Sequence, residues 1–252
     1  MCVKIDFHVH AKIGKKVPFS LKDFVKMMEE AKWNGLDAIA LTEHFNAKDY
    51  VQIYQTLDRH YSYQSTYYDV SGIKVFPGME VDIAEGGHIL LIGSRSDIIR
   101  MTKRLERYKH KDHFIPFDQL MSFHGMENML KIGAHPFREK NPLTALTENQ
   151  LSQLDAFEWN AKDALKQGMG LRPKLEKMAS FHEKAVTAGS DTHHYSQIGA
   201  VYNHFEGSFQ TVKQLKEKIS KHEFDIRKSP FLPIKIQAAK VLKKKHRDGR
   251  KG

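Results

Sequence analysis

The chain has 252 residues, a single cysteine, and 40 Lys and Arg against 30 Asp and Glu, for a net charge of +10. Such a length supports one substantial core, and no apolar run reaches the length that a bilayer crossing needs. One thiol, Cys2, provides neither an internal disulfide nor a thiolate metal cluster. The N-terminus lacks the layout of a signal peptide, so the expectation is a soluble, cytoplasmic protein with no membrane partner, in which any metal is held by imidazole and carboxylate.

The charge is uneven. From Ser229 onward eight basic residues face one acid, Asp248, a net of +7 that leaves +3 for the rest. The division expected is therefore a catalytic-type body over 1–228 and a basic tail over 229–252. Within the tail, Ile234, Ile236, Val241 and Leu242 among lysines suggest a short amphipathic helix, and Lys243 to Gly252 are expected to be disordered.

In chain order, Val3 to Phe7 reads as a first strand. Ser20 caps a helix whose apolar residues Leu21, Phe24, Val25, Met28 and Ala31 recur at three and four, with Asn34-Gly35 as its stop. Strands follow at Leu36 to Leu41, Ile73 to Phe76, His88 to Ile92, Lys131 to Ala134, Ala156 to Trp159 and Ala185 to Ala188. Helical periods lie near Ile98 to Tyr108, Phe117 to Leu130, Thr147 to Leu154, Lys174 to Glu183 and Thr211 to Lys221. Strands alternating with helices predict an α/β protein built around a largely parallel sheet. The tyrosine-rich stretch from Tyr50 to Tyr68 reads as helix and loop packed over the rim, with base or sugar stacking as the lesser reading.

Chemistry gathers at the strand ends. Asp6-Phe7-His8-Val9-His10 places alternate side chains on one face of the first strand, so two imidazoles can meet one ion. A lone His-x-His is weak; its weight comes from Thr42-Glu43-His44, Gly78-Met79-Glu80, His135-Pro136 and Asp191-Thr192-His193, each at or just past another strand. In a parallel barrel these C-terminal ends share one face. His88 begins its strand instead, and Glu85-Gly86-Gly87 predicts a hairpin that returns it to that face. Imidazoles and carboxylates without thiolate suit Zn, Mn or Fe, and more than four donors imply more than one ion. Such clusters suit phosphate-ester hydrolysis.

Together these motifs resemble the PHP family, the polymerase and histidinol phosphatase domain, from Val3 to about Gly199. The resemblance implies a distorted seven-stranded (β/α)7 barrel, TIM-like, and an activity that is usually phosphoesterase, sometimes nuclease or polymerase accessory module. Matched by motif, it implies His8, His10, Glu80 and Asp191 on a first ion, Glu80 bridging to a second with His88 and His135, and His44 and His193 on a third. Catalysis falls to Asp191 and His193. Where the family usually supplies a further Asp or His for the third ion, this chain has Lys15 and Lys16, so two ions are expected and the third is open. Either a lysine ammonium stands in that place and binds phosphate, or the loop from Lys12 to Pro18 takes another path with solvated lysines.

Arg138, two residues after His135-Pro136, is a candidate phosphate fork alongside Lys15, with a surface arginine as the plain reading. Asp6 is read as orienting a ligand and Glu43 as structural; Glu158 and Asn160 could line the pocket; His110, His113, His124 and His194 are read as surface histidines. The leading expectation is hydrolysis of a small phosphomonoester by a hydroxide held between metals. The alternatives are a nuclease or cyclic-phosphodiester hydrolase that meets nucleic acid through the basic tail, and a non-catalytic metal-containing module. Substrate and oligomeric state are not specified by the sequence.

Overall fold

A computed structural model describes residues 2–167 and 170–248. Its strands are β1 (Cys2–Val9), β2 (Ala38–Leu41), β3 (Tyr63–Gln64), β4 (Tyr67–Val70), β5 (Ile73–Asp82), β6 (His88–Ile92), β7 (Leu130–Ala134), β8 (Ala156–Asn160), β9 (Ala185–Gly189), β10 (Val201–Glu206) and β11 (Phe224–Lys228). The helices are α1 (Leu21–Trp33), α2 (Tyr50–His60), α3 (Arg95–Arg104), α4 (Phe117–Met121), α5 (Glu148–Leu151), α6 (Ala161–Gln167), α7 (Leu171–Phe181), α8 (Val212–Ser220) and α9 (Leu232–Asp248).

The sheet runs β11-β10-β1-β2-β5-β6-β7-β8-β9. Pairs β1/β2, β2/β5, β7/β8 and β8/β9 are parallel, whereas β6 is antiparallel to both its neighbours. The Gly86-Gly87 turn, with both residues at positive φ, makes this reversal and sets His88 opposite Asp82. A bridge between Val9 and Thr192 brings β1 back to the end of β9. Beside it, the Asn203 amide of β10 donates to Ile5 O and Ala188 O and accepts from Ala188 N. Seven strands thus encircle the core as a distorted barrel, and β10 and β11 extend it at the seam.

The alternation of β6 shows how the site is positioned. Ile89 and Leu91 pack in the larger hydrophobic cluster beneath the helices, and Leu90 and Ile92 in the inner cluster with Phe7, Phe76 and Ile132. His88 shares the inner parity, so the same period that packs the barrel aims its imidazole inward. The inner cluster is completed by Val212, Leu215 and Ile219 of α8.

The first helix follows its sequence signals, with Ser20 accepting from Asp23 N and Gly35 at φ +73° beyond the last turn. Three expectations need correction. The helical period from Phe117 to Leu130 yields only α4, because the chain turns through Gly125 at φ +96° and Leu130 already belongs to β7. The tail is helical past Lys243, through Asp248, because Leu232, Ile236 and Ala239 are buried against the body; residues 249–252 of the expected disordered segment lie outside the described residues. Finally, β10, β11 and the β3/β4 ribbon were absent from the sequence reading. The tyrosines pack as expected, with Tyr50 and Tyr54 buried and both hydroxyls donating to Gly78 O.

Candidate metal centre

Glu80 lies in the middle of the rim. The Pro77-Gly78 segment lets β5 exchange β4 for β6 as a partner, and a Cβ on Gly78 would sit 2.8 Å from Leu91 O. Past that point backbone bonds Glu80 N to Glu43 O and Phe45 N to Glu80 O tie the end of β2 alongside. Glu80 Oε1 is 2.6 Å from His88 Nδ1, 3.3 Å from His135 Nε2 and 3.5 Å from His8 Nε2. Its other oxygen is 2.8 Å from His44 Nδ1 and 3.5 Å from His10 Nε2. One carboxylate therefore faces five imidazoles from four strands.

Asp191, just past β9, closes the opposite side. Its Oδ1 is 3.3 Å from both His10 Nε2 and His193 Nε2 and 4.0 Å from His8 Nε2. Its Oδ2 accepts from Lys162 Nζ at 2.8 Å and from Arg138 Nη2 at 3.1 Å. His135 and Asp191 both have positive φ, +34° and +53°, a backbone cost of the kind that surrounding structure sustains at functional sites.

Four groups of three donors are close enough to share an ion: His8, His10 and Asp191; Glu80, His88 and His135; His10, His44 and His193; and His8, His135 and Glu158. The donor chemistry fits divalent cations. Among the described residues, the buried polar atoms without a hydrogen-bond partner include His10 Nδ1, Glu43 Oε2 and His135 Nδ1, all in this cluster.

The electrostatics agree. Burial opposes the charge on Glu80, but His88, His44 and His8 outweigh it and hold its pKa well below the carboxylate range. Burial likewise opposes ionised Asp191, and Lys162, His10 and His193 reverse the effect. His88 is raised to about 9 because Glu80 and Asp82 overcome its burial. His135 and His193 are pushed down, to about 4 and about 3, by burial and by nearby Arg138 and His10 respectively, so both are neutral at physiological pH, as ligands must be.

Every metal-ligand candidate from the sequence is in this cluster. The supporting residues are distributed differently. Glu43 is an outer partner of the centre, with Oε1 3.5 Å from His10 Nδ1, and His10 helps depress its pKa to about 2 against the effect of burial. Glu158 Oε1 lies 2.7 Å from His8 Nδ1 while its Oε2 accepts from the backbone N–H of His135, so it orients the His8 imidazole and anchors the chain at His135. Asp6 does not share the imidazole face. The pairing of β1 with β2 shifts between Asp6 and Val9, and Asp6 accepts from the backbone amides of His8, Ser190 and Gly199. Burial raises its pKa to about 6.

Lys15 Nζ is 3.0 Å from Asp82 Oδ2, and Asp82 Oδ1 is 3.1 Å from His88 Nε2, so its ammonium is tied to the rim while Lys16 is exposed. Lys162 was missed by the sequence reading; its only signal is its place two residues past the end of β8. His194 accepts from Ser196 N as a cap.

The PHP domain matches residues 6–223. The chain belongs to the PHP family. Metal-dependent phosphoesterases make up that family, and the rim carries the His, Asp and Glu groupings such chemistry requires. Among solved structures it is similar to PsfC from Pseudomonas syringae PB-5123, with a TM-score of 0.78 and 20% identity over 97% of this chain and 98% of that one. It is also similar to the lesion-specific endonuclease PfuEndoQ from Pyrococcus furiosus, with a TM-score of 0.67 and 19% identity over 90% of this chain but 58% of that one. An Endonuclease Q complex with a 27-mer duplex gives a TM-score of 0.66 at 19% identity. At these identities the likeness is one of fold. None of the curated proteins matches by sequence. Among the described residues no helix is long and apolar enough to cross a membrane.

Proposed function

We propose that this PHP protein hydrolyses a small phosphomonoester. The observation that carries the reading is Glu80 facing five imidazoles, with Asp191 opposite and two cations on its outer oxygen. His8, His10, Glu80 and Asp191 would hold one divalent ion, and Glu80, His88 and His135 a second. His44 and His193, with His10 beside them, could hold a third, although Lys15 pairs with Asp82 where the family usually adds a ligand. Zn, Mn or Fe suits these donors. When bound, such ions lower the pKa of water and neutralise charge on phosphate oxygens.

The chain's own residues supply the rest. Arg138 and Lys162 converge on Asp191 Oδ2, which presents a guanidinium fork and an ammonium at the edge of the ligand cluster. There they would bind the phosphate and fix its orientation. Lys15, salt-bridged and about one third exposed, is the lesser phosphate contact. Asp191 and His193, with His193 Nε2 3.3 Å from Asp191 Oδ1, would form the catalytic pair that orients the attacking water.

An aryl phosphate assay tests this. Activity should require added Mn or Zn and fall by roughly 100-fold or more in His10→Ala. A metal-loaded protein inert toward a broad panel of monoesters refutes it. The second reading, a phosphodiesterase acting on nucleic acid, is favoured by the basic helix α9 and would show as cleavage of bis(p-nitrophenyl) phosphate in preference to the monoester.

A further inference from the structure

The two cations that meet Asp191 come from different parts of the chain. Arg138 lies in the turn after β7, where its amide donates to His135 O at 3.0 Å. Lys162 belongs to the first turn of α6, whose start is set by Asn160 Oδ1 accepting from Lys162 N at 3.0 Å. The next residue is Asp163, the acid of that turn, and it is only 5% exposed. A carboxylate so buried requires a cation or donor beside it. Asp163 Oδ2 lies 3.5 Å from Arg138 Nε.

Four charges therefore alternate at the edge of the metal centre: Lys162, Asp191, Arg138 and Asp163. Lys162 Nζ is 2.8 Å and Arg138 Nη2 3.1 Å from Asp191 Oδ2. Burial works against the charge on the guanidinium, but Asp191 and then Asp163 outweigh it and raise its pKa. The side chain of Arg138 is 24% exposed whereas both carboxylates are buried, so a ligand can reach the arginine and not its anchors. A guanidinium carries five N–H donors in a rigid plane. With Nε turned to Asp163 and one proton of Nη2 on Asp191, Nη1 and the second Nη2 proton form the far edge, the fork that suits a phosphate. Held by Asp191 alone, the group could swing about one contact and close both arms on that carboxylate.

We propose that Asp163 is a positioning residue for substrate binding: it fixes Arg138 at Nε, so that the far edge of the guanidinium presents two parallel donors to the phosphate. This rests on the reading of the centre as a phosphoesterase in which Arg138 binds phosphate. The first turn of α6 thereby serves the site twice, with Lys162 reaching Asp191 directly and Asp163 acting through Arg138.

Calorimetric titration of the metal-loaded protein with inorganic phosphate, together with turnover of an aryl phosphate, decides the matter. Asp163→Asn, nearly isosteric but uncharged, should weaken phosphate roughly tenfold, the loss of about one charge-assisted contact. In turnover the loss should appear in KM and spare kcat. Asp163→Ser should match the amide, and Asp163→Glu, which keeps the charge, should recover most of the affinity. Because Asp163 acts through Arg138, its removal should cost nothing further in Arg138→Gln: the double variant should bind phosphate no more weakly than Arg138→Gln alone. A merely structural acid would lower the melting temperature and add its loss to that of Arg138→Gln. Additive losses, or wild-type phosphate affinity in both Asp163→Asn and Asp163→Ser, overturn the proposal while the phosphoesterase reading stands. Wild-type affinity in Arg138→Gln removes Arg138 from the phosphate site and the proposal with it. No binding of inorganic phosphate by the metal-loaded wild type overturns the phosphoesterase reading as well.

Discussion

His88 illustrates how one residue's protonation couples folding to metal uptake. Its Nδ1 is 2.6 Å from Glu80 and its Nε2 3.1 Å from Asp82, and these carboxylates raise its pKa from 6.5 to about 9 in spite of burial. In the metal-free protein the imidazolium therefore neutralises two buried acids. A group raised on folding stabilises fully below its unfolded pKa and loses that contribution as pH rises through the folded value. The metal-free protein should thus lose thermal stability between pH 6.5 and about 9, while metal affinity rises over the same interval as the competing proton leaves. Melting curves and metal titrations at several pH values check both trends; a melting temperature that climbs across that interval contradicts the assignment. The ligand residues were legible because their spacing repeats at strand ends. Glu43 faces a side that alternation does not give: strict alternation puts it opposite His44, but past Leu41 the chain is no longer a regular strand and Glu43 turns back to His10. Glu158 was legible only as a strand-end residue that could line the pocket and Lys162 only by its place just past that strand, since the barrel's closure is what brings them to His8 and Asp191.

At the scale of elements, the approach of β8 to β9 and β1 depends on Gly189. A Cβ there would lie 2.0 Å from Glu158 Oε1 and 2.5 Å from His8 Cβ, so β9 must end in a residue without a side chain for Glu158 to reach His8. Gly189→Ala should displace that carboxylate, destabilise the fold by about 1–3 kcal/mol through overpacking, and weaken metal binding roughly 10–100-fold through loss of the outer partner. Competition with a chelator, alongside a melting curve, separates the two effects; metal affinity left at the wild-type level would show that Glu158 does not orient His8. Elements with both a period and a stop signal, such as α1 and β6, were readable within a residue or two. The segment from Phe117 to Leu130 was not, because its apolar residues are buried by a turn and a strand instead of by one helix face. The helix α9 was readable as amphipathic, but which surface it covers is a tertiary fact.

For the whole molecule, the centre joins distant parts of the chain at one point: His8 from β1 and His10 just after it, Glu80 from β5, His88 from β6, His135 after β7 and Asp191 after β9. The barrel is closed at the β1/β9 seam by the Val9 to Thr192 bridge, flanked on one side by His8 and His10 and on the other by Asp191 and His193. Ions shared between these residues would therefore brace the seam where backbone pairing is shortest. A ligand that binds only the folded state stabilises it by about 2.7 kcal/mol at a hundredfold excess over its Kd. For a domain of this size each kcal/mol raises Tm by roughly 2–4 °C. Removing metal with a chelator should then lower Tm by about 5–10 °C per ion lost, and stoichiometric Zn or Mn should restore it. Hydrogen exchange should localise the loosening to the amides of His10 and Thr192, which bond across the seam. If elemental analysis shows the metal gone while Tm and seam protection stay constant, the ions are not bound by the residues on both sides of the seam, and the assignment of His8, His10 and Asp191 to one ion fails.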